Sequence, residues 1–291
     1  ESYLLRELRR LKDSSQEAIE NANQFSTFKK YLHVDRRIQK DLEQVLERNK
    51  ISDKGNLILL CGSVGDGKSH ILAYLNENKP ELLEGYTIFN DATESFSPSK
   101  NAMETLEDVL QNFSDQKINE SNDKVILAIN MGVLHNFVHL EHKVFTYNKL
   151  GQFVEESGLF TQTITTMFSN DTFDLLSFGD YHAYELTEEG PKSSFYSSLL
   201  ANIFNPVKEN PFHLARLEDE KNGMHTMAHE NFIFLQNPIV QKQIVDLLIQ
   251  TNVKQKLVIS ARSFLNFVAD IVIPDDLSLP SIMNEFDRLQ A

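Results

Sequence analysis

The chain has 291 residues, of which 28 are Lys or Arg and 42 are Asp or Glu, so its formal charge at pH 7 is −14. With 41% hydrophobic and 24% charged residues, the composition is that of a globular protein and excludes a disordered or fibrous chain. No apolar run approaches the roughly 20 residues of a bilayer span and no signal-peptide pattern opens the chain, so we expect no membrane contact and a cytoplasmic location.

The single cysteine and the positions of the basic residues give further information about the kind of protein. The single cysteine, Cys61, excludes an internal disulfide and fits a reducing compartment. Because the chain opens on Glu1, we expect a piece of a longer protein. We interpret the two basic runs of the first fifty residues as solvated helix faces; their members are Arg6, Arg9, Arg10, Lys12, Lys29, Lys30, Arg36, Arg37 and Lys40.

Helical spacing of leucines predicts a helix over residues 2–22, and a second apolar stripe predicts a helical region over 26–48. We therefore assign residues 1–50 to an N-terminal helical segment. Residues 51–204 form the predicted α/β core, in which short continuous apolar runs predict buried parallel strands. These runs are 56–61, 86–89, 125–129 and 173–178, with 184–186 as an alternative to the last.

Helical stripes alternate with these strands and predict helices on both faces of the sheet. The stripes include residues 103–113 and 195–203. Residues 205–291 form the third predicted segment, in which 205–237 is a loop-rich connection because it contains Pro206, Pro211 and Gly223. Helices from Pro238 and over 262–272 then build a lid-like helical subdomain, and 257–259 is either a strand or a helix entry.

A phosphate-loop motif joins the first predicted strand to the following helix. It matches the pattern G-x-x-x-x-G-K-[ST] at every fixed position. Successive backbone N–H groups in such a loop form a nest for anions, and the following helix adds its positive dipole end. We assign ATP binding to Gly62, Ser63, Val64, Gly65, Asp66, Gly67, Lys68, Ser69 and His70.

Within the loop, Lys68 would reach the β- and γ-phosphates and act in catalysis, and the Ser69 hydroxyl would bind Mg²⁺. We expect the Asp66 side chain to point away from the phosphates. Such enzymes usually end the third strand with an acidic residue that holds Mg²⁺ through water, but here that strand ends at Asn130. We assign Asn130 to the catalytic residues, together with Lys68 and Arg262. The missing carboxylate then comes from Asp91 (our metal-ligand assignment), from Glu94 or from Asp180, and Ser177 is an alternative γ-phosphate contact.

More distant residues complete the predicted site. Arg262 opens the last predicted helix, where a guanidinium would sense the γ-phosphate from a lid. Arg216 is an alternative that would reach a neighbouring subunit, and the sequence leaves a homo-oligomer open. His225 and His229 share a helix face at a spacing that resembles half of a zinc site, with His213 nearby, but no cysteine or convincing third ligand accompanies them.

Beyond the loop, several segments resemble the DptF family of DNA phosphorothioation-dependent restriction proteins. These segments are residues 13–20, 28–32, 61–70, 90–95, 128–134 and 265–267. The resemblance implies a P-loop NTPase that works with G and H partner proteins to restrict DNA lacking the sulfur modification, and that meets DNA through the complex. Members of that family have cysteines near the region of 205–237, where this chain has none.

The predicted fold is therefore an AAA-like α/β P-loop NTPase with a mostly parallel central sheet flanked by helices. It carries N-terminal helices and a C-terminal helical subdomain. The predicted function is that of an ATPase motor or switch in a restriction and phage-defence complex. The alternatives are a nucleotide-binding assembly scaffold with little hydrolysis, and a small-molecule kinase, for which no acceptor pocket with a base is evident. The absence of an N-K-x-D tetrapeptide favours ATP over GTP.

Overall fold

Five strands of the chain pair into one mixed sheet. The computed structural model describes residues 2–20, 26–90, 101–255 and 259–274, and for 13–20 it describes the backbone alone. The strands pair in the order β2-β3-β1-β5-β4, and only β4 runs antiparallel to its neighbour. They are β1 (Asn56–Cys61), β2 (Tyr86–Phe89), β3 (Lys124–Ile129), β4 (Met167–Ser169) and β5 (Phe173–Ser177).

The central strand, β1, is buried along all six residues. A continuous apolar run that is buried on both faces is typical of a parallel sheet with helices on both sides. The sequence prediction of strands at β1, β2, β3 and β5 is confirmed. The alternative pairing of 184–186 is wrong, because Glu185–Thr187 (β6) forms a separate small hairpin with Gly190–Lys192 (β7).

Side chains alternate along each strand, so the sheet presents two different apolar faces. On one face, Ile58 and Leu60 pack with α3 (Arg37–Lys50) and α4 (Lys68–Asn78). On the other, Leu57 and Leu59 pack with three further helices. These helices are α5 (Ala102–Leu110), α6 (Met131–His139) and α7 (Asn148–Glu156).

The described residues divide into two compact units. The sheet unit contains Asp35–His182. The helical unit contains α1 (Tyr3–Glu20), α2 (Thr27–Leu32) and the described residues from Ala183 onward. Its later helices share one apolar core with α1 and α2. They are α8 (Ser194–Phe204), α9 (Pro211–Lys221), α10 (Met227–Leu235), α11 (Pro238–Gln255) and α12 (Ala261–Val272).

Several sequence-based boundaries differ from the structure. The predicted helical region over 26–48 is two helices, because residues 33–36 carry no helix between α2 and α3. Residues 205–237 are not a loop-rich connection: Pro211 is the first residue of α9, and Gly223 lies just beyond that helix with a φ of 68°. The division at Val34/Asp35 and His182/Ala183 also differs from the predicted boundaries at residues 50 and 204.

Most of the strand or helix entry predicted at 257–259 and two of the predicted metal ligands fall on residues outside the described ranges. Residues 257 and 258 lie outside the described ranges, as do Asp91 and Glu94. Within the described ranges, no helix combines the length and apolar character that crossing a membrane would require.

Candidate functional site

The motif 62–69 lies where the sequence predicted, between the end of β1 and the start of α4. Gly65 and Gly67 have φ angles of 84° and 100°, a region that glycine adopts without the steric cost of a side chain. Gly67 is the N-cap of α4, so the first turn of that helix presents its N–H groups beside the loop. The local backbone therefore has the left-handed residues and the helix start that an anion nest needs.

Gly62 is required for a different reason, which is close packing. A Cβ atom at this position would lie 2.8 Å from Asp66 Oδ2 and 3.0 Å from the Cβ of Phe178. The Gly62 N–H donates to the carbonyl of Ile129 at 3.2 Å, which ties the first residue of the loop to the end of β3. The loop is thus anchored to the neighbouring strand as well as to its own.

The Asp66 side chain contacts the start of its own loop, and its direction relative to bound phosphates stays a prediction. It turns back across the loop, and its Oδ2 accepts the Ser63 N–H at 2.6 Å. Burial raises the pKa of the Asp66 carboxyl, while the Ser63 N–H, Lys68 and Arg36 oppose that shift without cancelling it. The loop therefore holds a partly desolvated acidic group of its own.

Lys68 is the first residue of α4, and its side chain folds back over the loop. Its Nζ donates to the carbonyls of Gly62 at 3.0 Å and Ser63 at 2.8 Å. Ser69 and His70 follow in the same helical turn and are half-buried, whereas Val64 at the tip of the loop is 64% exposed. The ammonium group is thus held against the first two carbonyls of the loop.

Arg36 is a member of the site that sequence reasoning missed. Its Nη1 donates to the backbone carbonyl of Asp66 at 2.7 Å, and its guanidinium lies 5.3 Å from the centroid of the Phe178 ring. We had interpreted its basic run as a solvated helix face. Only the run itself was a signal, because a contact between residues 30 positions apart has no local sequence signature.

The carboxyl ends of the parallel strands bring other predicted residues to the edge of the sheet that carries the loop. The register pairs Cys61 with Ile129 on one side and with Ser177 on the other. Asn130 therefore follows the strand next to β1, where it caps α6 by accepting the Gly132 N–H at 2.8 Å. Ser177 Oγ is buried and has no hydrogen-bond partner in the described part of the chain.

Of the three carboxylates that we predicted as metal ligands, the structure describes only Asp180. Asp180 lies in the turn after β5, and its Oδ2 accepts the Thr165 N–H at 3.1 Å. Asp91, our first choice, directly follows Asn90 but lies outside the described residues. Among the described residues, no group of three or more His, Cys, Asp or Glu side chains is arranged to hold a metal ion.

The remaining predicted residues belong to the helical unit. Arg262 is the second residue of α12 and is half-buried, and Arg216 pairs with Glu220 on α9 at 3.1 Å. His225 pairs with Glu230, and the buried His229 bonds to Asp219, so each of these imidazoles has a carboxylate partner. Among the described residues, neither histidine belongs to a group of three or more side chains that could hold a metal ion.

Cys61 ends β1 directly before the loop. Burial raises the pKa of its thiol to about 12, although the charge of Lys68 acts in the opposite direction. Burial therefore favours the protonated thiol, which is a weaker nucleophile than the thiolate.

Comparison with known proteins adds no assignment, because no protein-family model, curated protein or solved structure matches the chain. What the site can do must therefore be argued from its own geometry.

Proposed function

We propose that this protein is an ATP-binding P-loop NTPase in which the loop 62–69 holds the phosphates. The observation that carries the proposal is the complete motif in its required context, between a buried parallel strand and the first turn of a helix. Positive-φ glycines, a helix N-terminus and a lysine held against one loop together favour a polyphosphate over a neutral ligand.

The chain's own residues have distinct tasks in this proposal. The backbone N–H groups of the loop and of the first turn of α4 bind and orient the phosphates. Lys68 exchanges its present carbonyl partners for phosphate oxygens, and Ser69 offers its hydroxyl to Mg²⁺, which would neutralise charge on the phosphates when bound. The loop N–H groups and Lys68 have the chemistry to bind the phosphates of a Mg²⁺–nucleotide. Asp91 is the proposed carboxylate ligand of the Mg²⁺.

The strand order supports the proposed roles of Asn130 and Ser177. Both residues lie at the ends of strands that pair directly with β1, so both flank the start of the loop. The orphaned hydroxyl of Ser177 is a buried polar group that gains a partner if a water or a phosphate oxygen reaches it. Asn130 would orient such a water, because its amide can both donate and accept hydrogen bonds.

At the level of the whole protein, we propose a motor or switch component of a phosphorothioation-dependent DNA restriction complex. This step rests on the resemblance of the six segments to the DptF family. In that role, ATP would change how the protein engages the G and H components, and DNA would be met through the complex. Arg262 on α12 is the proposed sensor of the γ-phosphate.

A second candidate is a nucleotide-binding assembly scaffold with little hydrolysis. The observation behind it is Asn130, because a neutral amide at the end of β3 holds a water-bound metal less strongly than a carboxylate. ATP would then order a surface for partners without being consumed at a useful rate.

Phosphate release separates the two candidates. We expect the protein to hydrolyse ATP above the protein-free rate, with further acceleration by the G and H components and DNA. Lys68→Ala should abolish turnover, whereas Lys54→Ala, at an exposed lysine on the turn before β1, should leave it unchanged. ATP binding without turnover in every mixture would favour the scaffold. Turnover that survives Lys68→Ala would exclude this loop as its source.

A further inference from the structure

Arg36 packs against the loop 62–69 and is hydrogen-bonded to one of its peptide units. The residue comes from the segment just before α3, and its Nη1 donates to the Asp66 carbonyl at 2.7 Å. The same group lies 3.3 Å from the position that a Cβ on Gly67 would occupy. The guanidinium is therefore packed against the Asp66–Gly67 peptide, directly before the helix that receives the phosphates.

The geometry of a peptide unit determines what this contact does. The described chain contains no cis peptide bond, so the Asp66 carbonyl and the Gly67 N–H point in opposite directions. A cation that accepts electron density from the carbonyl oxygen polarises the amide and makes its N–H a stronger donor. Gly67 precedes Lys68 in the motif, so its N–H is one of the groups of the proposed nest.

We infer that Arg36 is a positioning residue for polyphosphate, acting through the Asp66–Gly67 peptide without touching the ligand. This inference rests on the proposed function of the loop. Arg36 fixes the orientation of the peptide, strengthens the Gly67 N–H and adds a second positive charge beside that of Lys68. The charge also counteracts the acidic Asp66 side chain, which would otherwise repel an incoming phosphate.

A purely structural role is the competing explanation, because Arg36 also packs on the Phe178 ring. The two explanations differ in what a charge-removing substitution changes. A structural pin lowers the free energy of unfolding, and Arg36→Lys would restore nothing, because lysine lacks the planar group that packs on Phe178. A polarising group affects the Gly67 N–H and the binding of phosphates in particular.

Arg36→Gln is the test variant, and Arg37→Gln is its matched control. Arg37 is the next residue along the chain, its side chain is 79% exposed, and its Nε lies 3.9 Å from Asp41. Affinities for ATP and for inorganic tripolyphosphate are measured by calorimetry. We expect Arg36→Gln to weaken both ligands by the same factor, roughly tenfold, and Arg37→Gln to change them less than twofold. Arg36→Lys, which keeps the charge, should restore part of the loss.

A spectroscopic measurement reports on the peptide itself. The sequence contains a single Asp–Gly dipeptide, 66–67, so labelling Asp carbonyl carbons with ¹³C and Gly nitrogens with ¹⁵N selects the Gly67 amide. In the ligand-free protein, its proton resonance should move upfield in Arg36→Gln and stay in place in Arg37→Gln. If Arg36→Gln does not fold, the same comparison is made with Arg36→Met, which also removes the charge and keeps an apolar side chain against Phe178.

The outcomes are distinct. Unchanged affinities in Arg36→Gln, or an unmoved Gly67 resonance, would overturn the inference and leave the proposed function standing, provided that ATP binding still depends on Lys68. A loss for ATP without a loss for tripolyphosphate would also overturn it, since Arg36 would then act on the nucleoside. If the unaltered protein binds neither ligand, the proposed function fails and this inference fails with it.

Discussion

At the scale of single residues, the loop satisfies its own charged groups. Lys68 bonds to two carbonyls of the loop, and Asp66 bonds to the Ser63 N–H. A phosphate group would attract Lys68 away from those carbonyls, because charge-assisted bonds to phosphate are stronger than bonds to neutral acceptors. The same phosphate would be repelled by the carboxylate of Asp66, so this residue should weaken binding.

The first prediction follows from that repulsion. Asp66→Asn keeps an acceptor for the Ser63 N–H but removes the negative charge, so ATP should bind roughly threefold to tenfold more tightly. Asp53→Asn, on the exposed turn before β1, is the control and should change the affinity little. Calorimetric titration at constant ionic strength measures both. Weaker binding in Asp66→Asn would mean that the carboxylate supports the bound state.

A second residue-scale feature is the buried pair of Asp219 and His229. The Asp219 carboxylate accepts the Ser2 hydroxyl at 2.6 Å and the N–H groups of Tyr3 and Leu4, both at 2.9 Å, and so caps the start of α1. His229 Nδ1 accepts the Thr226 N–H, so Nε2 carries the proton donated to Asp219. Burial alone would raise the pKa of Asp219, but the hydrogen bonds to its oxygens outweigh burial and lower that pKa.

The lowered pKa gives a prediction for stability against pH. Because the folded carboxyl ionises more easily than the unfolded one, its contribution is complete above a pH of about 4 and is lost as the pH falls through the folded pKa. Asp219→Asn should cost about 2–4 kcal/mol at pH 7 and flatten the acid limb. Urea unfolding across this range measures both effects. The exposed neighbour Glu218, changed to Gln, should reproduce neither.

These residue-scale contacts also show what a sequence can reveal about a site. The position of the loop 62–69 between a strand and a helix was predictable, because the spacing of the motif is local and each of its positions has a physical reason. The contact of Arg36 was not, since it depends on tertiary packing that brings the residue before α3 against the loop. The bond from the Ser63 N–H to Asp66 spans only three residues, but it depends on the exact conformation of the loop. The Ser177 hydroxyl was an open alternative, and its burial next to β1 could be known only from the sheet register.

At the scale of elements, a buried cap residue organises two helices around the segment that we predicted to be loop-rich. Asn210 is fully buried and caps α9 by accepting the Phe212 N–H at 2.9 Å. Its amide also donates to the carbonyls of Ile203 and Asn205, which joins the end of α8 to the start of α9. One side chain therefore fixes the connection between two helices.

A pair of cap substitutions tests this role. Asn210→Ala removes the cap and leaves two carbonyls without their hydrogen-bond donor, so we expect a loss of about 3 kcal/mol in the free energy of unfolding. Asn237 is exposed and caps α11 through a single bond to the Ile239 N–H at 2.9 Å. Asn237→Ala should therefore cost about 1 kcal/mol or less, by the same denaturant measurement. Equal losses would show that the buried bonds of Asn210 add nothing.

The elements themselves were predictable to unequal degrees. The strands β1, β2, β3 and β5 were confirmed, because continuous apolar runs of this length fit a strand covered on both faces. The helices α6, α7, α9 and α10 were missed or interpreted as loops. Their apolar residues lie between polar and turn-forming ones such as Gly132, Pro211 and Gly223, and the tertiary core compensates for the weak local signal.

At the scale of the whole molecule, two connections between the units lie within the described ranges, at Val34/Asp35 and at His182/Ala183. Residues near both connections touch the loop, since Arg36 follows the first and Phe178 precedes the second. The covalent path from the loop to either connection is thus only a few residues long. In the proposed switch, a change in the conformation of the loop would first alter the contacts of these two stretches.

The central claim is that the loop between β1 and α4 binds ATP. Equilibrium titration of the intact chain with ATP in the presence of Mg²⁺ tests it most directly. We predict one ATP per chain with an affinity in roughly the micromolar range, and loss of that binding in Lys68→Ala but not in Lys54→Ala. Absence of binding by the unaltered protein, or undiminished binding by Lys68→Ala, would contradict it.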